Sequence, residues 1–79
     1  MKDILQKLVS LIVDDPKSVS VEENEQEDTT ELTITVAKDD MGKVIGKEGK
    51  VIRSLRNIMK VPAIKQNKRI RISLSEKLE

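Results

Sequence analysis

Apolar residues at three- and four-residue intervals, Ile4, Leu5, Leu8, Leu11 and Ile12, form a single stripe. This is the signature of an amphipathic helix. Pro16, after Asp14 and Asp15, is expected to end it. The period then changes. Val19 and Val21 alternate with Ser18, Ser20 and Glu22, and Leu32, Ile34 and Val36 alternate with Glu31, Thr33 and Thr35. Period two predicts two half-buried strands. Between them, Glu23 to Asp28 contains no apolar residue, and the run is expected to be a solvated hairpin loop.

Further along, Asp39 and Asp40 are placed to cap a short helical turn from Met41 to Ile45, which Gly46 closes. After Gly49, the residues Val51, Ile52, Leu55, Ile58 and Met59 fall on one arc of a helix and Lys50, Arg53, Arg56 and Lys60 on another. The pattern predicts a longer helix with a cationic outer face. Pro62 leaves its end open to a kink, a break or a restart near Val61. Ile70, Ile72 and Leu74 alternate with Arg69, Arg71 and Ser73, a third strand with two arginines turned outward. The order is helix, two strands, two helices, strand. With no internal repeat and no linker, residues 1–79 are expected to form one α+β domain.

Composition narrows the function. At 79 residues, folding removes only about 60% of the unfolded chain's surface from water. The core is therefore thin, and a binding surface is expected rather than a deep catalytic cavity. Cysteine and histidine are absent, which excludes disulfides, thiolate and imidazole metal sites, and Ser-His or Cys-His nucleophiles. The expectation is a protein that is not an enzyme and holds no metal and no cofactor. Phe, Tyr and Trp are absent as well, so bases cannot be held on aromatic platforms. No apolar run reaches the roughly 20 residues of a membrane span. Asp3, Gln6 and Lys7 interrupt the first helix where a secretion signal is continuously apolar, so a cytoplasmic location without membrane insertion is expected.

A net charge of +1 conceals a division along the chain. Up to Met41 there are four lysines against eleven acidic residues; from Gly42 onward there are eleven basic residues against three acidic. Such a split predicts a cationic face for an anionic partner.

The cationic half holds the most informative segment, Gly42-Lys43-Val44-Ile45-Gly46-Lys47-Glu48-Gly49-Lys50-Val51-Ile52. Gly46 and Gly49 permit a tight backbone between two helices. The first free amides of the following helix would favour a phosphate there, with Lys43, Lys47 and Lys50 adding full charges and Arg53 flanking them. Known nucleotide motifs fail on spacing. A Walker A loop needs four residues between its glycines and then Lys-Ser or Lys-Thr, whereas Gly42 and Gly46 enclose three and Lys47 precedes Glu48. A G-x-G-x-x-G fingerprint is not met either.

Val44-Ile45-Gly46-Lys47-Glu48-Gly49-Lys50-Val51-Ile52, set in this element order, resembles the KH domain, whose G-x-x-G loop clamps the backbone of about four single-stranded nucleotides. Two strands before the loop and one after it are similar to the type II, bacterial form. The resemblance covers nearly the whole chain. It implies an αββααβ fold with a three-stranded sheet packed on one face by helices. It also implies single-stranded RNA as partner and RNA contacts at Gly46, Lys47, Glu48, Gly49, Lys43, Lys50 and Arg53, with Val44 and Ile45 flooring a groove for bases or serving as core. Glu48 places a negative charge inside the loop, a departure that weakens phosphate affinity. The small single-domain members imply homodimers, or heterodimers with a larger KH-containing protein of the KhpB or Jag type. They imply a role as an RNA chaperone or post-transcriptional regulator connected with cell shape and cell wall biogenesis. Three rival readings remain at this point: a protein-interaction module on the same fold, a membrane-surface binder using the cationic helix, and a single-stranded DNA binder.

Overall fold

The computed structural model describes residues 1–77. Helix α1 (Lys2–Ile12) is followed by strands β1 (Ser20–Gln26) and β2 (Thr29–Val36), the short helix α2 (Met41–Ile45), the long helix α3 (Lys50–Lys65) and strand β3 (Arg69–Glu76). The αββααβ order is as the sequence implies. The sheet order is β1-β2-β3, with β1 antiparallel to β2 and β2 parallel to β3. A parallel pair needs a long crossover, and α2, the glycine loop and α3 supply it.

Alternation along β2 sets the layers. Thr30, Leu32, Ile34 and Val36 are buried, while the residues between them are only partly covered. Leu5 and Val9 of α1, Val44 of α2, and Leu55, Met59 and Ala63 of α3 close over that face, joined by Val21 and Ile72 from the outer strands. Burying a side chain of this size contributes about 1.5–3 kcal/mol. The opposite face of the sheet is polar, with Thr33 standing between Glu22 and Ser73 in register.

Three expectations are corrected. Pro16 does not end α1. The helix stops at Ile12, Val13 is extended, and the amides of Asp14 and Asp15 both donate to the Asp40 carboxylate at 3.1 Å. Pro16 instead opens a single 3-10 turn, Pro16–Ser18, where its missing N–H is harmless. Neither Asp39 nor Asp40 caps α2 with its side chain: that helix has no side-chain capping bond, and the Asp40 carboxylate is taken by the amides after α1. The acidic run is not all loop. Asn24 pairs with Glu31 and Glu25 with Thr30, so only Glu27 and Asp28 form the turn. Backbone pairing to β2 overrides the low strand preference of Glu and Asn. Glu23 also accepts the Lys2 amide at 3.1 Å, an acidic group at the positive end of α1.

At Pro62 the sequence leaves a kink, a break or a restart open. Helix α3 runs through it to Lys65. So near the helix end, the proline removes one backbone donor, the one that would serve the Ile58 carbonyl. The true terminus is Asn67, in the left-handed region at φ 58°. The Lys68 amide donates to the Ala63 carbonyl at 2.9 Å and the Asn67 amide to the Ile64 carbonyl at 3.0 Å. That pair of bonds is the Schellman arrangement, with asparagine where glycine is commonest.

Candidate nucleic-acid interface

Helix α2 ends at Gly46, whose amide donates to the Gly42 carbonyl at 2.8 Å. The chain then makes one 3-10 turn, Lys47–Gly49, before α3 begins. Three of the four residues from 46 to 49 have positive φ: Gly46 at 75°, Glu48 at 57° and Gly49 at 76°. The two glycines are needed for different reasons. A Cβ on Gly46 would lie 2.3 Å from Val51 Cγ2 and 2.8 Å from the Val51 backbone nitrogen. Both space and φ therefore demand glycine there. At Gly49 the nearest atom to an added Cβ is 4.0 Å away, so only the backbone angle excludes other residues. Gly42 has neither constraint.

Glu48 occupies a left-handed conformation that glutamate adopts at a cost. Its carbonyl accepts a hydrogen bond from Arg53 Nη2 at 2.6 Å. Arg53, expected as a flanking contact, thus braces the loop from one turn inside α3. Some of the amides expected to face a phosphate are already engaged. The Gly49 amide donates to the Gly46 carbonyl at 3.2 Å, and the Lys50 amide to the Lys47 carbonyl. The loop's positive character consequently rests more on side chains than on the α3 terminus.

Those side chains are not equivalent. Lys47 and Lys50 are exposed, and among the described residues neither makes an ion pair. Lys43 is exposed too but pairs with Asp14, and its Nζ lies 3.8 Å from Asp40 Oδ1. The hydrogen bond to Asp14 is the main influence raising the Lys43 ammonium above the usual lysine value. Desolvation opposes it, and the charges of Asp14, Asp40 and Asp39 reinforce it. Val44 is fully buried and belongs to the core, so its side chain lines no groove. Ile45 is 39% exposed beside the loop. Asp14 and Asp40 escaped the sequence reading as partners of Lys43. The only legible hint was the three-residue spacing of Asp40 and Lys43 on one helical turn.

An apolar groove runs beside Lys50 between α1 and α3, walled by Leu8, Leu11, Ile12, Val51, Leu55 and Ile58. Leu11 is 77% exposed and Ile58 48%. No helix among the described residues is long and apolar enough to cross a membrane.

The family described as KhpA/KhpB, KH domain, matches residues 2–74. The RNA-binding protein KhpA of Clostridium acetobutylicum is 39% identical over 74 residues, covering 94% of this chain and 99% of the relative. KhpA of Halalkalibacterium halodurans is 35% identical over 74 residues, covering 94% and 97%. KhpA of Chlamydia caviae is 36% identical over 76 residues, covering 96% and 97%. Among solved structures, Aquifex aeolicus Era bound to GDP.AlF4- superposes with a TM-score of 0.68 at 17% identity, over 99% of this chain and 30% of Era. Era in complex with MgGDPNP and nucleotides 1506-1542 of 16S ribosomal RNA gives 0.64 at 17% identity, over the same shares. At that identity the likeness to Era is one of fold.

Proposed function

The chain belongs to the KhpA/KhpB family of KH domains, and from that premise we propose that it binds single-stranded RNA without catalysis, gripping the sugar-phosphate backbone at Gly46–Gly49. The observation that carries this is the pairing of a tight positive-φ turn with two exposed ammonium groups, Lys47 and Lys50, that make no ion pair among the described residues. Gly46, seated against Val51, lets the loop backbone pack directly on α3 and so fixes the turn that carries Lys47. Ile45 offers a neighbouring aliphatic surface to bases. Lacking aromatic stacking, such a site binds weakly and with little sequence preference. This suits a cytoplasmic RNA chaperone or post-transcriptional regulator acting on many transcripts, with cell shape and wall biogenesis as the processes the family resemblance implies.

The test is the double substitution Lys47→Asp with Glu48→Asp, measured by fluorescence anisotropy with labelled single-stranded RNA. Affinity is expected to fall on the order of tenfold at low salt, and the wild-type affinity to fall steeply as salt rises. A well-folded double variant that binds as wild type defeats the reading.

A second role is favoured by one observation, the exposure of Leu11 and Ile58 in the α1–α3 groove. We infer that this surface pairs with a second copy or with a larger KH-containing partner of the KhpB or Jag type, joining two weak RNA sites into one avid unit. Leu11→Glu tests it by sedimentation equilibrium. Loss of self-association with RNA contact by the monomer retained supports pairing, and unchanged association removes this face.

A further inference from the structure

Lys43 lies three residues before Gly46, on the helix that opens directly into the loop, yet its ammonium is held by a carboxylate from outside that loop. Asp14, which follows α1, holds the ammonium by a direct ion pair. The two partners differ in what else binds them. Asp40 is 2% exposed, and its two oxygens each accept a backbone amide, from Asp14 and Asp15. It is a structural anchor. The Asp14 carboxylate is 81% exposed and holds no partner but Lys43 among the described residues. The backbone amide of Asp14, and not its carboxylate, ties the end of α1 to Asp40. The carboxylate is therefore dispensable to the fold and free to act on Lys43 alone.

We infer that Asp14 is an affinity-limiting residue, an internal anion that occupies Lys43 and keeps it from adding a phosphate contact to the loop. This rests on the reading of Gly46–Gly49 as the RNA grip. A carboxylate and an RNA phosphate compete for the same ammonium hydrogens, and an exposed ion pair of this kind is weak enough to be exchanged. With Asp14 in place, the site engages RNA through Lys47 and Lys50. Without it, Lys43 joins them. The arrangement holds the domain to brief, reversible contacts.

Titration of labelled single-stranded RNA at several salt concentrations tests this with four proteins: wild type, Asp14→Asn, Asp14→Asn with Lys43→Gln, and Glu27→Gln. The last removes the same charge from the β1–β2 turn. Asp14→Asn is expected to tighten binding about two- to fivefold. It is also expected to steepen the dependence of log affinity on log salt by about 0.7, one additional phosphate on a single strand. Adding Lys43→Gln should return both quantities to wild type, and Glu27→Gln should leave the slope unchanged, all with melting temperatures close to wild type. The inference is overturned if Asp14→Asn changes neither quantity, if the gain survives loss of Lys43, or if Glu27→Gln steepens the slope equally. The Lys47→Asp, Glu48→Asp protein separates the two ideas. If it loses RNA while Asp14→Asn is silent, the grip stands and the masking fails. If it binds as wild type, the grip itself fails.

Discussion

The two ends of α3 solve opposite problems. At its beginning the chain passes through three left-handed residues, Gly46, Glu48 and Gly49, with one arginine bracing the Glu48 carbonyl and two lysines facing outward. At its far end a single left-handed residue, Asn67, closes the helix. That end is stitched down on every side. Two backbone bonds complete the cap, the Arg69 amide donates to the Asp28 carbonyl at 2.8 Å, and Lys68 pairs with Glu25 at 2.9 Å. Backbone strain gathers where two lysines make no ion pair among the described residues, and the ordinary turn pairs its own lysine. Such an asymmetry agrees with the binding role proposed for the loop.

The sharpest way to break this comparison is Gly46→Ala. Its Cβ would meet the side chain and the backbone nitrogen of Val51 at once, so trimming Val51 to alanine does not rescue it. The expected loss is about 3 kcal/mol, seen as a lower urea midpoint. If Gly46→Ala is as stable as wild type, the close packing of loop on helix is wrong.

A smaller effect places the two ends on one scale. Gly49 and Asn67 share a left-handed backbone, and at Gly49 there is room for a Cβ. Gly49→Ala and Asn67→Ala should each cost about 1–2 kcal/mol, while Gly49→Asn costs less because asparagine tolerates this region. Chemical denaturation compares all three. Only the Gly49 changes should also alter RNA affinity, and an equal effect from Asn67→Ala removes the functional distinction between the ends.

The smallest expected change sharpens the picture of the closed end, whose one flaw is Thr30. It sits opposite Ile70 in register and is fully buried, and among the described residues its Oγ1 has no hydrogen-bond partner. Thr30→Val keeps the shape and removes the stranded hydroxyl. It should raise stability by about 1 kcal/mol, read by calorimetry, with RNA binding unchanged.

What the residues disclosed depended on how local the cause was. The α1 stripe, the alternation of β2 and β3 and the two glycines are patterns of neighbouring side chains, and each appears where its period puts it. Glu23 to Gln26 lie in a strand because β2 lies beside them, and no local property of that acidic run says so. The place of Asp40 before α2 predicts a cap, but its carboxylate faces amides 25 and 26 positions away. Val44 and Ile45 are adjacent and alike in chemistry, yet one is core and the other surface, a distinction made by how α2 packs. Of the candidate contacts, the glycines, Lys47 and Lys50 were legible as a local motif. The commitment of Lys43 to Asp14 joins residues far apart in the chain and was not.

The glycine loop lies inside the crossover that links β2 to β3, and its shape depends on a strand that pairs 40 positions downstream, Thr29 with Arg69. A chain made from its amino end forms the acidic hairpin by short-range pairing first, and the basic crossover has no fixed scaffold until β3 docks. The loop therefore takes its fixed shape only once β3 has docked on β2, whereas the acidic hairpin needs nothing beyond its own two strands.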